Sequence, residues 1–264
     1  MVSVLEVLLV ATLAGCATGL GAIPTLFTDR VSHRVYDGAL GFAGGIMTGA
    51  AVFALVVPGL EFGSPWEVVL GVLAGGGFLL VANALLPHLH LRFGRDRLEG
   101  TAALEVGDGN EAAVDDRRRA LLVGSAVTIH NVPEGLAVGI AFASGEAGLG
   151  FAIATAIAVQ NVPDGFAMAV PAVRAGVSRP KTLLYTTLSG GVPEPVAAAV
   201  GFSLVVVVTG LFPLAAGFAA GAMIAVVFRE LVPSSHGHGY ADTATATFVL
   251  GFAVMLVVDT VLAV

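Results

Sequence analysis

Eight apolar stretches follow one another along this sequence, most of them about 20 residues long or somewhat longer. A run of about 20 apolar residues can cross a bilayer as an α-helix. The mean hydropathy is +0.93 and only 12% of the residues are charged, against about 25% in soluble proteins. The sequence therefore predicts an all-α polytopic membrane protein. The predicted spans are 3–27, 36–60, 66–90, 120–143, 148–172, 181–208, 211–232 and 242–264.

The basic residues predict how the chain is oriented in the membrane. All 12 Lys and Arg residues fall near the links after the first, third, fifth and seventh predicted spans, and Lys and Arg mark cytoplasmic loops. We therefore expect both termini outside the cell, in a multi-pass protein of the plasma membrane. The residues are Arg30, Arg34, Arg92, Arg95, Arg97, Arg117, Arg118, Arg119, Arg174, Arg179, Lys181 and Arg229.

One polar segment and one cysteine limit the possible domain organisation. Residues 91–119 are rich in Gly, Asp, Glu and Arg, a composition that predicts a disordered cytoplasmic loop; residues 1–264 otherwise form a single transmembrane transporter domain. Cys16 is the only cysteine, which excludes an internal disulfide and a thiolate-rich metal site. Leu13 to Cys16 looks like a lipoprotein cleavage site, but no basic residue precedes Cys16 and the apolar run continues to about Phe27. We therefore favour a retained first span over a cleaved signal peptide.

Short segments of the first three predicted spans recur in the last three. The positions of the basic residues predict that the second and seventh spans cross the membrane in opposite directions. The pattern therefore indicates an inverted repeat of spans 1–3 and 6–8 around a hairpin of spans 4 and 5. This arrangement is typical of secondary transporters. The alternative is chance similarity between Gly- and Ala-rich helices. The recurring segments are Gly41 to Met47 with Gly217 to Met223, Pro58 with Pro233, and Thr12 to Gly15 with Thr187 to Gly190.

The hairpin carries two near-copies of one polar motif, at 129–142 and 159–172. His130 and Glu134 are four residues apart, as are Gln160 and Asp164, so each pair shares a helix face. Charged groups at membrane depth cost at least ~2.5 kcal/mol each and usually mark a binding or relay site. We therefore expect the two motifs to converge on one site.

A proline lies inside each motif, at Pro133 and Pro163. Proline has no N–H, so the carbonyls of Ile129 and Val159 would lose their helical partners. Broken helices of this kind form ion sites near the middle of transporters. We therefore expect backbone oxygen atoms beside the polar side chains.

Eight polar side chains in the predicted spans are candidate metal ligands. One imidazole with several carboxylates suits Zn, Fe or Mn, whereas an all-oxygen site would favour Mg or Ca. Asn side chains also serve as packing groups between helices. Glu230 lies near a membrane surface, where a carboxylate can simply be solvated. His236 and His238, in the link before the last span, either gather metal or are ordinary loop residues. The candidates are His130, Asn131, Glu134, Gln160, Asn161, Asp164, Glu194 and Glu230.

With these residues in place, the chain resembles the ZIP (Zrt- and Irt-like) family of divalent metal transporters. The resemblance covers nearly the whole length and is most specific in HNVPEG (130–135), QNVPDG (160–165), SGGVPEP (189–195) and FRELVP (228–233). It implies transport rather than catalysis, with Zn(II), Fe(II), Mn(II) or Cd(II) as substrate entering the cytoplasm. It also implies no cofactor, no nucleic-acid partner, and a homodimer in the lipid bilayer.

The resemblance further implies a binuclear site between spans 2, 4, 5 and 6, with Glu230 on the exit path. Three positions depart from the family pattern: Asp164 stands where Glu is common, Asn161 where some bacterial relatives have Asp, and Arg229 where His is frequent. The implied primary ligands are Met47, His130, Glu134, Gln160 and Asp164, and the implied second set is Asn131, Glu134, Asn161, Asp164 and Glu194.

Two other functions are compatible with acids inside a membrane. An intramembrane zinc-dependent hydrolase would use His and Glu on one helix face, but the HExxH string typical of zinc proteases is absent from the sequence. A proton-coupled carrier of another solute would also have an inverted repeat. An anionic or aromatic substrate would call for an intramembrane Arg or Trp, and the only Trp, Trp66, lies at a span end.

Overall fold

The structure, a computed structural model, describes residues 2–28, 31–85, 112–208 and 210–262. These residues are mostly helical and contain no strand, which confirms the predicted all-α class. Two single-turn π-helices, Val52–Val56 and Val227–Leu231, and a 3-10 turn, Ile23–Leu26, join some of the α-helices. The α-helices are α1 Val4–Leu20, α2 His33–Ala51, α3 Val57–Phe62, α4 Pro65–Leu85, α5 Ala112–Ala143, α6 Ala147–Arg174, α7 Arg179–Gly191, α8 Pro193–Val207, α9 Phe212–Val226, α10 Val232–Ser235 and α11 Ala241–Leu262.

Seven stretches of the described chain are long and apolar enough to cross a membrane. They correspond to all the predicted spans except the fourth, which lies in α5, so a count of eight stays a prediction. Helix α5 begins at Ala112, so residues 112–119 are helical and not loop as expected, and residues 91–111 lie outside the described ranges. The seven are Val4–Leu26, His33–Phe62, Pro65–Ala82, Ala147–Arg174, Arg179–Val207, Phe212–Ser235 and Ala241–Val261.

The second and seventh spans have the same irregularity. Each contains a π-helical turn that ends two residues before a proline, Pro58 or Pro233. A π turn changes the hydrogen-bond register of a helix, which accommodates a residue that has no N–H. The recurrence of the same turn at matching positions supports the repeat seen in the sequence.

Helix pairing follows the same repeat. Helix α2 packs on α11 and α4 packs on α9. A Cβ on Gly41 would meet the carbonyl oxygen of Ala244, and a Cβ on Gly217 would meet that of Val68. Gly217 follows Gly41, and Ala244 follows Val68, by the same 176 residues. These are therefore equivalent contacts of two repeats, and glycine is required because the backbones touch.

The remaining helices form a second group that holds the hairpin of α5 and α6. Helix α6 packs on α1 and α5 packs on α8, while α2 and α9 contact the hairpin from the other group. Gly15 of α1 and Gly190 of α7 approach so closely that a Cβ on either would meet the other's carbonyl oxygen. The polar motifs of α5 and α6 therefore lie between the two repeats, away from the apolar outer surface.

Candidate metal centre

The polar side chains predicted to bind metal lie together in the interior of the helix bundle. Pro133 and Pro163 stay inside the continuous helices α5 and α6, so the expected helix breaks are not there. The sixth predicted span is the one that breaks, at Val192 between α7 and α8. Asn131, Glu134, Gln160, Asn161 and Glu194 are 0% exposed, Asp164 is 3% exposed and His130 is 5% exposed.

The two motifs are joined by a hydrogen bond across the hairpin. Gln160 Nε2 donates to Glu134 Oε1 at 2.7 Å. His130 points instead toward the seventh span, where its Nε2 lies 2.6 Å from Glu230 Oε2. The Glu230 side chain is 15% exposed, so it lies at the edge of the cluster. The hairpin therefore contacts the seventh span through the His130–Glu230 pair.

Each Asn of the motifs is bonded to the backbone of a neighbouring span. Asn131 Nδ2 donates to the carbonyl oxygen of Ser189 at 2.7 Å, and Asn161 Nδ2 donates to that of Ala14 at 2.9 Å. Ser189 lies four residues before Pro193, so its carbonyl has no helical partner, and Asn131 supplies one. Asn131 and Asn161 hold equivalent places in the two motif copies, and Ala14 and Ser189 in the two repeats, so these bonds are symmetry-related.

Asn161 makes one further bond, which Asn131 does not match among the described residues. Its Nδ2 also donates to Glu194 Oε1, at 2.7 Å. Glu194 lies in the first turn of α8, directly after the break in the sixth span. The break therefore brings a carboxylate from a third span to the hairpin.

The cluster contains many more hydrogen-bond acceptors than donors. Six of its buried oxygens have no hydrogen-bond partner within the described part of the chain. An unsatisfied buried acceptor costs about 1–3 kcal/mol, and a cation that binds several of them removes that cost. The six are Asn131 Oδ1, Glu134 Oε2, Gln160 Oε1, Asn161 Oδ1, Asp164 Oδ2 and Glu194 Oε2.

Electrostatic repulsion links the three buried carboxylates. Glu134 interacts with Asp164 and Glu194, and Asp164 also interacts with His130. Among the described residues, no three His, Cys, Asp or Glu side chains are grouped as ligands of one metal ion. Glu134 and Glu194 each direct one oxygen at an amide N–H. For Glu134 and the Gln160 oxygen to face one cation together, the Gln160 amide would have to turn, because its nitrogen now faces Glu134.

Three other residues considered as ligands have different contacts. Met47, in α2, is 1% exposed and belongs to the apolar core. His236 Nδ1 lies 2.9 Å from the carbonyl oxygen of Val232, a contact within its own segment. His238 Nδ1 lies 2.7 Å from Oδ1 of Asp37, a fully buried acid that the sequence reasoning missed. The contact is seen only in the tertiary structure, where the segment before α11 packs on α2. No residue spacing in the sequence indicates it.

Comparisons with known proteins agree with the sequence motifs. The family described as "ZIP Zinc transporter" matches residues 90–259. "Zinc transporter GufA" of Myxococcus xanthus is 36% identical over 261 residues, covering 96% of this chain and 97% of that protein. "Zinc transporter ZIPB" of Bordetella bronchiseptica is 35% identical over 262 residues, covering 93% and 78%. "Zinc transporter ZIP11" of Homo sapiens is 32% identical over 333 residues, covering 97% of each.

Proposed function

This chain belongs to the ZIP zinc transporter family, and from that premise we propose that it moves Zn(II) into the cytoplasm through the site between α5 and α6. It is a divalent metal transporter and not an enzyme, so the hydrolase alternative is excluded, and the metal is its substrate rather than a cofactor. Fe(II), Mn(II) and Cd(II) are proposed as further substrates because imidazole and carboxylate ligands suit all these ions.

The excess of buried acceptors is the observation that carries this proposal. Glu134 Oε2, Asp164 Oδ2 and Gln160 Oε1 have no donor in the described ranges, and His130 lies on the same helix face as Glu134. A divalent cation would bind all three oxygens and the imidazole. We therefore assign the ion to His130, Glu134, Gln160 and Asp164.

Two further side chains are given roles by this assignment. Met47 would supply a soft thioether, a ligand better matched to Cd(II) than to Mn(II). Glu230 is assigned to release rather than to holding the ion, because it already lies against His130 Nε2. When the ion leaves toward the cytoplasm, Glu230 takes its place at the imidazole.

The direction of transport and the assembly are also part of the proposal. The basic residues favour both termini outside and a plasma-membrane location. The homodimer implied by the family resemblance is retained as a proposal, tested by the mass of the purified protein in detergent.

Zinc uptake into vesicles tests the proposed site. The purified chain is reconstituted in liposomes that contain a zinc indicator, and competing Fe(II), Mn(II) and Cd(II) are added outside. We expect Glu134→Ala to abolish uptake and Glu67→Ala to retain it, because Glu67 lies at the exposed start of α4, where it is hydrogen-bonded to Ser64. Wild-type uptake by folded Glu134→Ala protein would refute the site. Uptake of an organic solute in place of metal would favour the proton-coupled carrier.

A further inference from the structure

The second ion position implied by the family resemblance has a specific obstacle in this chain. It would use Glu194, with Glu134 and Asp164 shared between the two ions. Glu194 Oε1, however, already accepts a hydrogen bond from Asn161 Nδ2 at 2.7 Å. A second cation at Glu194 would lie beside a polar N–H group whose positive end faces the same carboxylate.

The orientation of the Asn161 amide is determined by its other partner. Nδ2 also donates to the carbonyl oxygen of Ala14 at 2.9 Å. A backbone carbonyl only accepts hydrogen bonds, so the amide nitrogen must face Ala14. An amide nitrogen has two hydrogens, and these two bonds use both. Unlike Gln160, Asn161 therefore cannot turn its oxygen toward the carboxylate without losing its bond to α1.

Charge balance alone does not distinguish one ion from two. The buried cluster has three carboxylates, Glu134, Asp164 and Glu194, which together carry a charge of −3 when ionised. One divalent ion would leave −1, and two would leave +1 among buried groups. A buried charge without compensation is strongly destabilising. Aspartate at position 161 would raise the carboxylate charge to −4 and balance two divalent ions.

We propose that Asn161 replaces the second cation at Glu194, so that this transporter holds one divalent ion at a time. The amide N–H groups restrain Glu194 and tie α6 to α1 and α8, which a second metal ion would otherwise do. This inference rests on the proposed function for the ion at His130, Glu134, Gln160 and Asp164. It goes beyond that function by assigning the number of ions carried.

Asn131 provides a matched control because it makes the equivalent backbone bond. Its Nδ2 donates to the Ser189 carbonyl as Asn161 Nδ2 donates to the Ala14 carbonyl. Of these two Asn residues, Asn161 is the one that also donates to Glu194. Asn131→Asp and Asn161→Asp each add one negative charge and remove one donor to a helix backbone. Only Asn161→Asp also frees Glu194 Oε1.

Counting bound zinc tests the proposal. The full chain in lipid nanodiscs is equilibrated with a zinc-buffered solution, and zinc per chain is measured by elemental analysis. Zinc bound by Glu134→Ala/Asp164→Ala protein is subtracted, because that variant lacks the carboxylates of both positions. We expect one ion for the wild type, two for Asn161→Asp, one for Asn131→Asp, and one for Asn161→Asp/Glu194→Gln.

Several results would overturn the inference. Two ions in the wild type, one ion in folded Asn161→Asp protein, or two ions in Asn131→Asp protein would each contradict it. If Asn161→Asp does not fold, Glu194→Gln decides, since its amide oxygen can still accept from Asn161. We expect that variant to keep one ion with an affinity within about twofold of the wild type, and loss of an ion would overturn the inference. No ion above background in the wild type would instead overturn the proposed function as well.

Discussion

Removing the Glu230 carboxylate should tighten zinc binding. His130 Nε2 lies 2.6 Å from Glu230 Oε2, with side chains 6% and 15% exposed. A zinc ion bound through this nitrogen must displace the carboxylate. Glu230 therefore competes with the ion in the present arrangement, and Glu230→Ala removes the competitor.

The size of the effect follows from the strength of that contact. Taken at the strength of a hydrogen bond to a charged group, this close contact contributes about 1.5–3 kcal/mol, which corresponds to roughly 10- to 150-fold in affinity. Because Glu230 is partly exposed, solvent screening favours the lower end. We expect the zinc Kd of Glu230→Ala to fall about 10-fold, and we expect release into the cytoplasm to slow because no group replaces the ion at His130.

Chelator competition in nanodiscs measures the Kd, and zinc uptake into liposomes measures turnover. Asp242→Ala is the matched control, because Asp242 is an exposed acid in the first turn of α11 and its removal changes the net charge equally. Weaker zinc binding by Glu230→Ala, with Asp242→Ala unchanged, would show that Glu230 holds the ion. That result would refute the reasoning.

Three further changes test the site and the fold. Glu134→Gln keeps an acceptor for Gln160 but removes a charged ligand. Zinc binding, measured by the same chelator titration, should weaken by about 3–5 kcal/mol. An affinity within a factor of two of wild type would contradict the ligand assignment. Gly41→Ala places a Cβ against a backbone oxygen and should lower the stability by about 1–3 kcal/mol, which would appear as a lower thermal midpoint. Gly77→Ala is the control and should leave the midpoint unchanged, because a Cβ there would meet nothing within 4 Å. Equal midpoints for the two variants would argue against the close helix contact. Asn131→Ala should cost about 1–3 kcal/mol by leaving the Ser189 carbonyl unpaired, and an unchanged midpoint would show that water or another donor replaces the amide.

The hydropathy and repeat patterns were enough to predict the architecture. Apolar run length and helical spacing are local properties, so they indicated the helices, the hairpin and the inverted repeat without knowledge of the packing. The pairing of Gly41 with Gly217 in sequence reappears as equivalent helix contacts. Spacing by four residues also placed His130 with Glu134, and Gln160 with Asp164, on common faces.

Only the tertiary structure decided which atoms meet. Proline content predicted breaks in the fourth and fifth spans, but the break lies in the sixth, at Val192. There Asn131 bonds the Ser189 carbonyl that Pro193 leaves without a helical partner. The contacts of His130 with Glu230 and of Asn161 with Glu194 join residues far apart in the chain. A helix pattern defines a face but not the depth or rotation at which that face meets another helix. Close backbone contact at the glycines restricts both, and so restricts which buried side chains can meet.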